Sequence, residues 1–257
     1  MPPSSLLARY REILAPLDVA LLDRSRHADP IFAGLSGLFL AGHLPDVMTA
    51  SRRVMIVGRE TRQWNVLGAD KPFVDKDAYL KIAIAKSQKF LKRALGQSAD
   101  PGCSFFNLVR ELAMQCGQEG IIWANLFCFS WKRGSPMKTD LFNTIRDVSE
   151  RLLKAQIEHL RPDLIIFANG SSSARVRQTF FPHKNPGSVC SDSRHYTEMG
   201  IAKGQLWSFR LYGAIPCYRI QHPSSRSRQA RAARTALLQL LKSEQFTPCH
   251  TPAPTPR

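Results

Sequence analysis

Four short apolar runs constrain this chain more than any other feature of it. They are 54–58 (VMIVG), 121–129 (IIWANLFCF), 164–168 (LIIFA) and 214–220 (AIPCYRI). A strand buried on both faces of a parallel sheet reads as a near-continuous apolar run rather than an alternation. Stretches with apolar residues at helical spacing lie between them, at 77–95, 104–116 and 139–159, and another follows at about 226–242. Such alternation, with right-handed crossovers, implies an α/β fold: a three-layer α/β/α sandwich around a four-stranded, mainly parallel sheet. Residues 205–212 read as a strand near an edge, outside that count. Ahead of the first run, 6–22 and 31–40 read as helices laid over the core, the first interrupted at Pro16. Thr139 or Asp140 is the expected cap of the 139–159 helix. Residues 65–77 are irregular, a lid or a simple connection, and 181–204 read as a long surface excursion. Residues 1–245 form one expected domain. Residues 246–257, rich in Pro and Thr, read as a disordered tail.

Charge narrows the partners. The chain carries 36 Lys plus Arg against 20 Asp plus Glu, a formal charge of +16. That excess favours a polyanion: DNA, RNA or an anionic membrane surface. The cations are spread along the sequence, which suits a folded basic face better than a basic tail. No stretch reaches the roughly 18 to 20 apolar residues that cross a bilayer, so no membrane partner is expected. The N-terminus lacks the usual signal-peptide pattern. Six cysteines show no C-x-x-C. A reducing, cytoplasmic location fits, and a zinc or iron–sulfur site built from distant cysteines stays open. The G-x-G-x-x-G, P-loop and G-x-S-x-G patterns are absent, as is any H-x-x-H pair. No cofactor and no metal is therefore expected.

The polar residues that close the runs are the candidate chemistry. In an open α/β sheet, ligands bind beyond the strand C-termini. The first run is followed by Arg59, Glu60, Thr61, Arg62 and Trp64. Asn125 sits inside the second run. A buried amide must find partners or cost about 1 to 3 kcal/mol, so it either satisfies backbone or faces a ligand. Phe127 lies in the exit from that run, and Trp131, Lys132 and Arg133 form an aromatic and basic cluster suited to a nucleotide. The third run closes on Asn169, followed by Ser171, Ser172 and Ser173, which read as the start of a helix carrying Arg175 and Arg177. Backbone donors at such a start can hold a phosphate. Arg194 and His195 stand in the 181–204 excursion. The last run exits into His222, Pro223, Ser224 and Ser225, then Arg226 and Arg228. By itself His222 also reads as a capping or packing histidine. On DNA, these residues suit hydrolysis of a glycosidic bond. A carboxylate orients water and faces the oxocarbenium-like sugar, a histidine donates to the departing base, and an asparagine reads a pyrimidine edge.

In order and strand context, the motifs resemble those of the uracil-DNA glycosylase superfamily. G-R-E-T-R (58–62) resembles the superfamily's first motif, H-P-S-S (222–225) its late histidine motif, and W-A-N-L (123–126) the strand that ends in the base-reading asparagine. The resemblance covers about 52–242. It implies a monomeric DNA glycosylase that flips its base and leaves an abasic site, with Glu60, Asn125 and His222 catalytic. Gly58, Arg59, Arg62, Trp64, Phe127, Trp131 and Asn169 would bind substrate. Lys132, Arg133, Ser171, Ser172, Arg175, Arg194, His195, Ser224, Ser225, Arg226 and Arg228 would bind DNA. Two departures stand out. Glu60 replaces an aspartate. Arg62 replaces the tyrosine that closes the pocket of uracil-specific members against C5 substituents. The expected substrate is therefore DNA holding a modified or damaged pyrimidine. A bulky C5-modified cytosine such as glucosylated hydroxymethylcytosine, removed in defence against phage, leads. Alternatives are an ordinary uracil repair enzyme, an inactive modified-base sensor, and a hydrolase of small nucleosides or nucleotides.

Overall fold

The computed structural model describes residues 5–68, 72–184 and 186–242. In chain order the elements are α1 (Leu6–Leu14), β1 (Gly42–His43), β2 (Val54–Gly58), α2 (Lys76–Leu95), α3 (Ser104–Cys116), β3 (Ile121–Asn125), α4 (Phe142–Leu160), β4 (Leu164–Phe167), α5 (Ala174–Phe180), β5 (Cys190–His195), β6 (Leu206–Leu211), β7 (Ile215–Ile220) and α6 (Arg228–Lys242). The four apolar runs become β2, β3, β4 and β7, which lie side by side and parallel.

The sheet is nonetheless larger than the expected four strands, and it is mixed. Seven strands run in the order β1-β3-β2-β4-β7-β6-β5. β6 pairs antiparallel with β7, β5 with β6, and β1 with β3. The added strands leave little hydrophobic trace. β5 is an edge strand with four exposed central residues, and its register shifts between Ser191 and Arg194. β1 has two residues. The 181–204 stretch thus contributes a strand and a 3₁₀ turn, Thr197–Met199, and β6 is one place inside the edge.

Side chains alternate across the parallel strands into two cores. Ile56, Trp123, Ile166 and Ile220 pack with residues of α2, α3 and α6. Met55, Ala124, Phe167 and Cys217 pack with Leu153 and Ile157 of α4 and Val176 and Phe180 of α5. Every residue of β2 and β3 is buried, as strands covered on both faces require.

The N-terminal segment differs from two expected helices. α1 stops at Leu14, just before Pro16, and Lys76 Nζ donates to the freed carbonyls of Leu14 (3.0 Å), Ala15 (2.6 Å) and Leu17 (2.6 Å). Short 3₁₀ turns follow at Val19–Leu21 and Arg24–Ala28. Residues 31–40 form no helix. Their backbone instead crosses between two loops: Ser36 N–H donates to Ser130 O, Gly37 N–H to Trp64 O and Phe39 N–H to Cys128 O. α4 begins after Leu141 without a side-chain cap, and Thr139 Oγ1 accepts only a long 3.4 Å bond from Leu141 N–H. The expected tail at 246–257 lies outside the described residues, as does part of the 65–77 connection. No described helix is long and apolar enough to cross a membrane.

Candidate active site

Because β2, β3, β4 and β7 are parallel, their four exit loops share one edge of the sheet. A cleft of about 320 Å³ opens there, lined by Gly58, Glu60, Thr61, Arg62, Trp64, Asn125 and His222, with Phe105 and Phe106 of α3. Gly58 and Asn125 are direct partners in the β2–β3 register. The Asn125 side chain lies across Gly58, so that a Cβ on residue 58 would stand 2.5 Å from Asn125 Oδ1 and 3.1 Å from the Phe105 ring. Asn125 is buried, and its Nδ2 has no hydrogen-bond partner; Thr61 Oγ1 is likewise buried and unpartnered. A buried donor without an acceptor is costly, and at the rim of a cleft the missing partner points to a ligand.

Glu60 is gripped by its neighbour. Arg59 Nε donates to Oε2 at 2.6 Å and Nη2 to Oε1 at 2.8 Å, and the Glu60 side chain is only 3% exposed. Arg59 Nη1 reaches on to Ser172 Oγ at 3.1 Å. The fork orients the carboxylate while leaving each oxygen a free lone pair. The bond to Glu60 raises the Arg59 pKa, against a smaller opposing effect of burial.

His222 has a defined tautomer. The backbone N–H of Ser224 approaches its Nδ1 at 3.2 Å, and Ser224 Oγ at 2.7 Å. A backbone N–H can only donate, so Nδ1 accepts and the ring proton stands on Nε2. Burial lowers the His222 pKa, Arg59 and Arg62 add to the fall, and Glu60 opposes it. The ring is therefore neutral at pH 7, with a donor to offer. Gly170, at φ +76°, lies against it: a Cβ there would be 3.4 Å from His222 Cβ. Phe105 lies nearly parallel to the imidazole, with ring centres 6.3 Å apart and planes at 22°.

Not every expected residue reaches the cleft. Trp64 does, anchored by Nε1 donating to Leu38 O. Phe127 is fully buried against Phe142 in the other core. Trp131 bridges to Leu35 and packs on Gly34. Asn169 is buried under the start of α5, where Nδ2 donates to Ser173 Oγ. α5 itself has only seven residues, and Arg177 turns into the interior rather than outward. Lys132, Arg133, Ser171, Ser172, Arg175, Ser224, Arg226 and Arg228 are exposed on the exit loops or the helix starts they lead into, with Ser225 half-buried beside them. Gln63, with its amide oxygen turned toward Arg133, accepts from Nε at 2.8 Å and Nη2 at 2.9 Å, which ties two of those loops together. Arg194, on the edge strand, pairs with Glu198 of the 3₁₀ turn after it, and His195 lines a separate cavity. Sequence reading missed Phe105 and named Thr61 without giving it a role. The available signal was the adjacent pair Phe105–Phe106 at the start of an amphipathic helix. Neighbours on a helix point in different directions: both rings line the cleft, but Phe106 also packs on the core, 5.0 Å from Trp123.

The family model for the uracil DNA glycosylase superfamily matches residues 45–243. The chain belongs to that superfamily. The match covers β2 through α6 and the whole cleft. It supports DNA base-excision chemistry and a DNA partner. No curated protein matches the chain. Among the described residues no group of three or more His, Cys, Asp or Glu could hold a metal ion.

Proposed function

We propose that this superfamily member is a monofunctional DNA glycosylase that hydrolyses the N-glycosidic bond of a flipped uracil-type pyrimidine and leaves an abasic site. The observation that carries the reading is the unpartnered Asn125 Nδ2 in a cleft it shares with Glu60 and a neutral His222. The extruded base lies against Phe105, and Asn125 donates to a base carbonyl. As the bond between the sugar C1′ and N1 breaks, its electron pair passes to the base. His222 Nε2–H stabilises the charge that grows on the base oxygen. Glu60, held by Arg59, orients the water that adds to C1′ and receives its proton. Exposed cations on the four exit loops hold the flanking phosphates.

A second reading rests on Arg62, an exposed side chain at the cleft where a closing tyrosine would exclude C5 substituents. An arginine there leaves room for a C5-modified cytosine and can donate to its hydroxyls, as a defence against modified phage DNA would need. One experiment separates the two. Duplexes carrying uracil, hydroxymethylcytosine or glucosylated hydroxymethylcytosine are incubated with the protein and with Glu60→Gln, and free base and abasic sites are counted. Uracil release, cut about 10²- to 10⁴-fold in the variant, supports the main reading. Release of the glucosylated base alone moves the second to the front. Tight binding with no release from any duplex defeats both in favour of a sensor.

A further inference from the structure

On the face of the sheet opposite the cleft lies a second cavity, of about 290 Å³, bounded by α5 and the ends of β5, β6 and β7. Two arginines form its floor. Arg177, on α5, is only 2% exposed, and its Nε and Nη1 have no hydrogen-bond partner. Its guanidinium stands 5.0 Å from the Trp207 ring, 5.6 Å from Phe209 and 5.8 Å from Phe167. Arg219, on β7, is 9% exposed and gives one Nη1 donor to the Gly204 carbonyl. Among the described residues no Asp or Glu lines the cavity, and no carboxylate is among the charges that act on either arginine. Gln178, His183, His195 and Ser193 complete the polar wall. Gly204 N–H donates to His195 Nδ1, at 3.4 Å, which leaves the His195 proton on Nε2 as a further donor.

A buried cation without a counter-ion is strongly disfavoured, and here two lie side by side. Aromatic faces offset only part of that cost for Arg177, and they leave its Nε and Nη1 without a hydrogen-bond partner. Burial pulls the Arg177 pKa down to about 10, and Arg219 adds to the fall. An arginine remains charged even so at pH 7. Donors come from three separate elements, α5, β5 and β7. A tetrahedral oxyanion can accept from several directions at once, whereas a planar carboxylate offers its lone pairs in one plane.

We propose that this cavity is an anion site that takes a phosphate group, with Arg177 and Arg219 as its ligands and His183, His195 and Ser193 at its mouth. The group comes either from a small free phosphate or from the backbone of bound DNA, since Ala174 and Arg177 of the lining lie on α5, the helix into which the β4 exit loop leads. The site is separate from the cleft and does not depend on the reaction assigned there.

The test measures thermal unfolding of the full chain in inorganic phosphate, against chloride and acetate at equal ionic strength. The same series is run on Arg177→Met, Arg219→Met and, as a cleft control, Ser224→Ala. DNA affinity is measured on all four proteins. At about 100 times its dissociation constant, phosphate should raise the wild-type melting temperature by about 5 °C or more. The rise should persist in Ser224→Ala and vanish in both arginine variants. Arg177→Met should melt no lower than wild type in chloride, because it removes an uncompensated buried charge. Should that variant fail to fold, Arg219→Met reads the same site. Phosphate stabilisation with unchanged DNA affinity in the variants identifies a free phosphate. A fall in DNA affinity without a free-phosphate effect identifies the DNA backbone. Equal responses in all four proteins, loss in Ser224→Ala alone, or no effect on either readout would overturn the proposal.

Discussion

Gly170 turns the chain beside His222. Its φ of +76° is a left-handed conformation that costs an L-residue about 1 to 2 kcal/mol, whereas His222 Cβ, at 3.4 Å, would only be in ordinary contact with a new methyl. Gly170→Ala should lower unfolding free energy by about 1 to 2 kcal/mol in urea titration. Base release by the folded fraction should change little, because a methyl 3.4 Å from His222 Cβ makes ordinary contact and leaves the imidazole in place. His222 itself carries a pH prediction. Its folded pKa lies below the ordinary 6.5, chiefly through burial. The unfolded chain therefore binds a proton there first as pH falls. The stability it contributes is complete above about pH 6.5 and is lost as pH drops through the lower folded value. A rate profile of base release should stay flat near neutrality and fall on an acid limb centred below 6.5. A midpoint above 6.5 would contradict a neutral His222 donor. Of the cleft residues proposed as catalytic, Glu60 and His222 stood out in the sequence because each follows an apolar run, and Asn125 because it interrupts one. The Arg59 fork and the His222 tautomer were not, since both are matters of distance between side chains.

At the level of elements, the strands buried on both faces were the readable part, because burial leaves an unbroken apolar run. Polar β5 and two-residue β1 exist only by hydrogen bonding to a neighbour, so no local pattern announces them. The 31–40 segment was misleading for the opposite reason. Its apolar residues are buried, but its backbone bonds go to the exit loops, and its Leu38 carbonyl holds the Trp64 indole. The end of α1 shows a similar long-range dependence, with Lys76 donating to three carbonyls. Lys76→Met should cost about 1 to 3 kcal/mol, seen as a lower denaturant midpoint with an unchanged slope. Activity at low temperature should be retained, since α1 is remote from the cleft.

For the whole molecule, the charge of +16 and the shared edge of the exit loops belong together. A duplex held through several phosphates should bind with an affinity that falls steeply as salt rises. Lys132→Ala should weaken binding to matched and uracil-bearing duplexes alike and lessen the salt slope by about 1. Asn125→Ala should instead spare the slope and remove the preference for the target base. Equal slopes for wild type and Lys132→Ala in a fluorescence titration would take Lys132 off the DNA path.

Hydrophobic patterning and charge are local sums, so the sequence by itself determined the parallel core, the helices that follow each strand, the basic character, and the residues that close each run. The family resemblance rested on the same positions. Register and topology are long-range, and only the tertiary structure decided the seven-strand order, the place of Phe105 over Gly58, and the withdrawal of Phe127 and Asn169 from the cleft. The same holds for Arg177. Nothing in its neighbours on the chain distinguishes it from a solvated arginine, and it becomes a buried, unpartnered cation only when α5 is laid against β6 and β7.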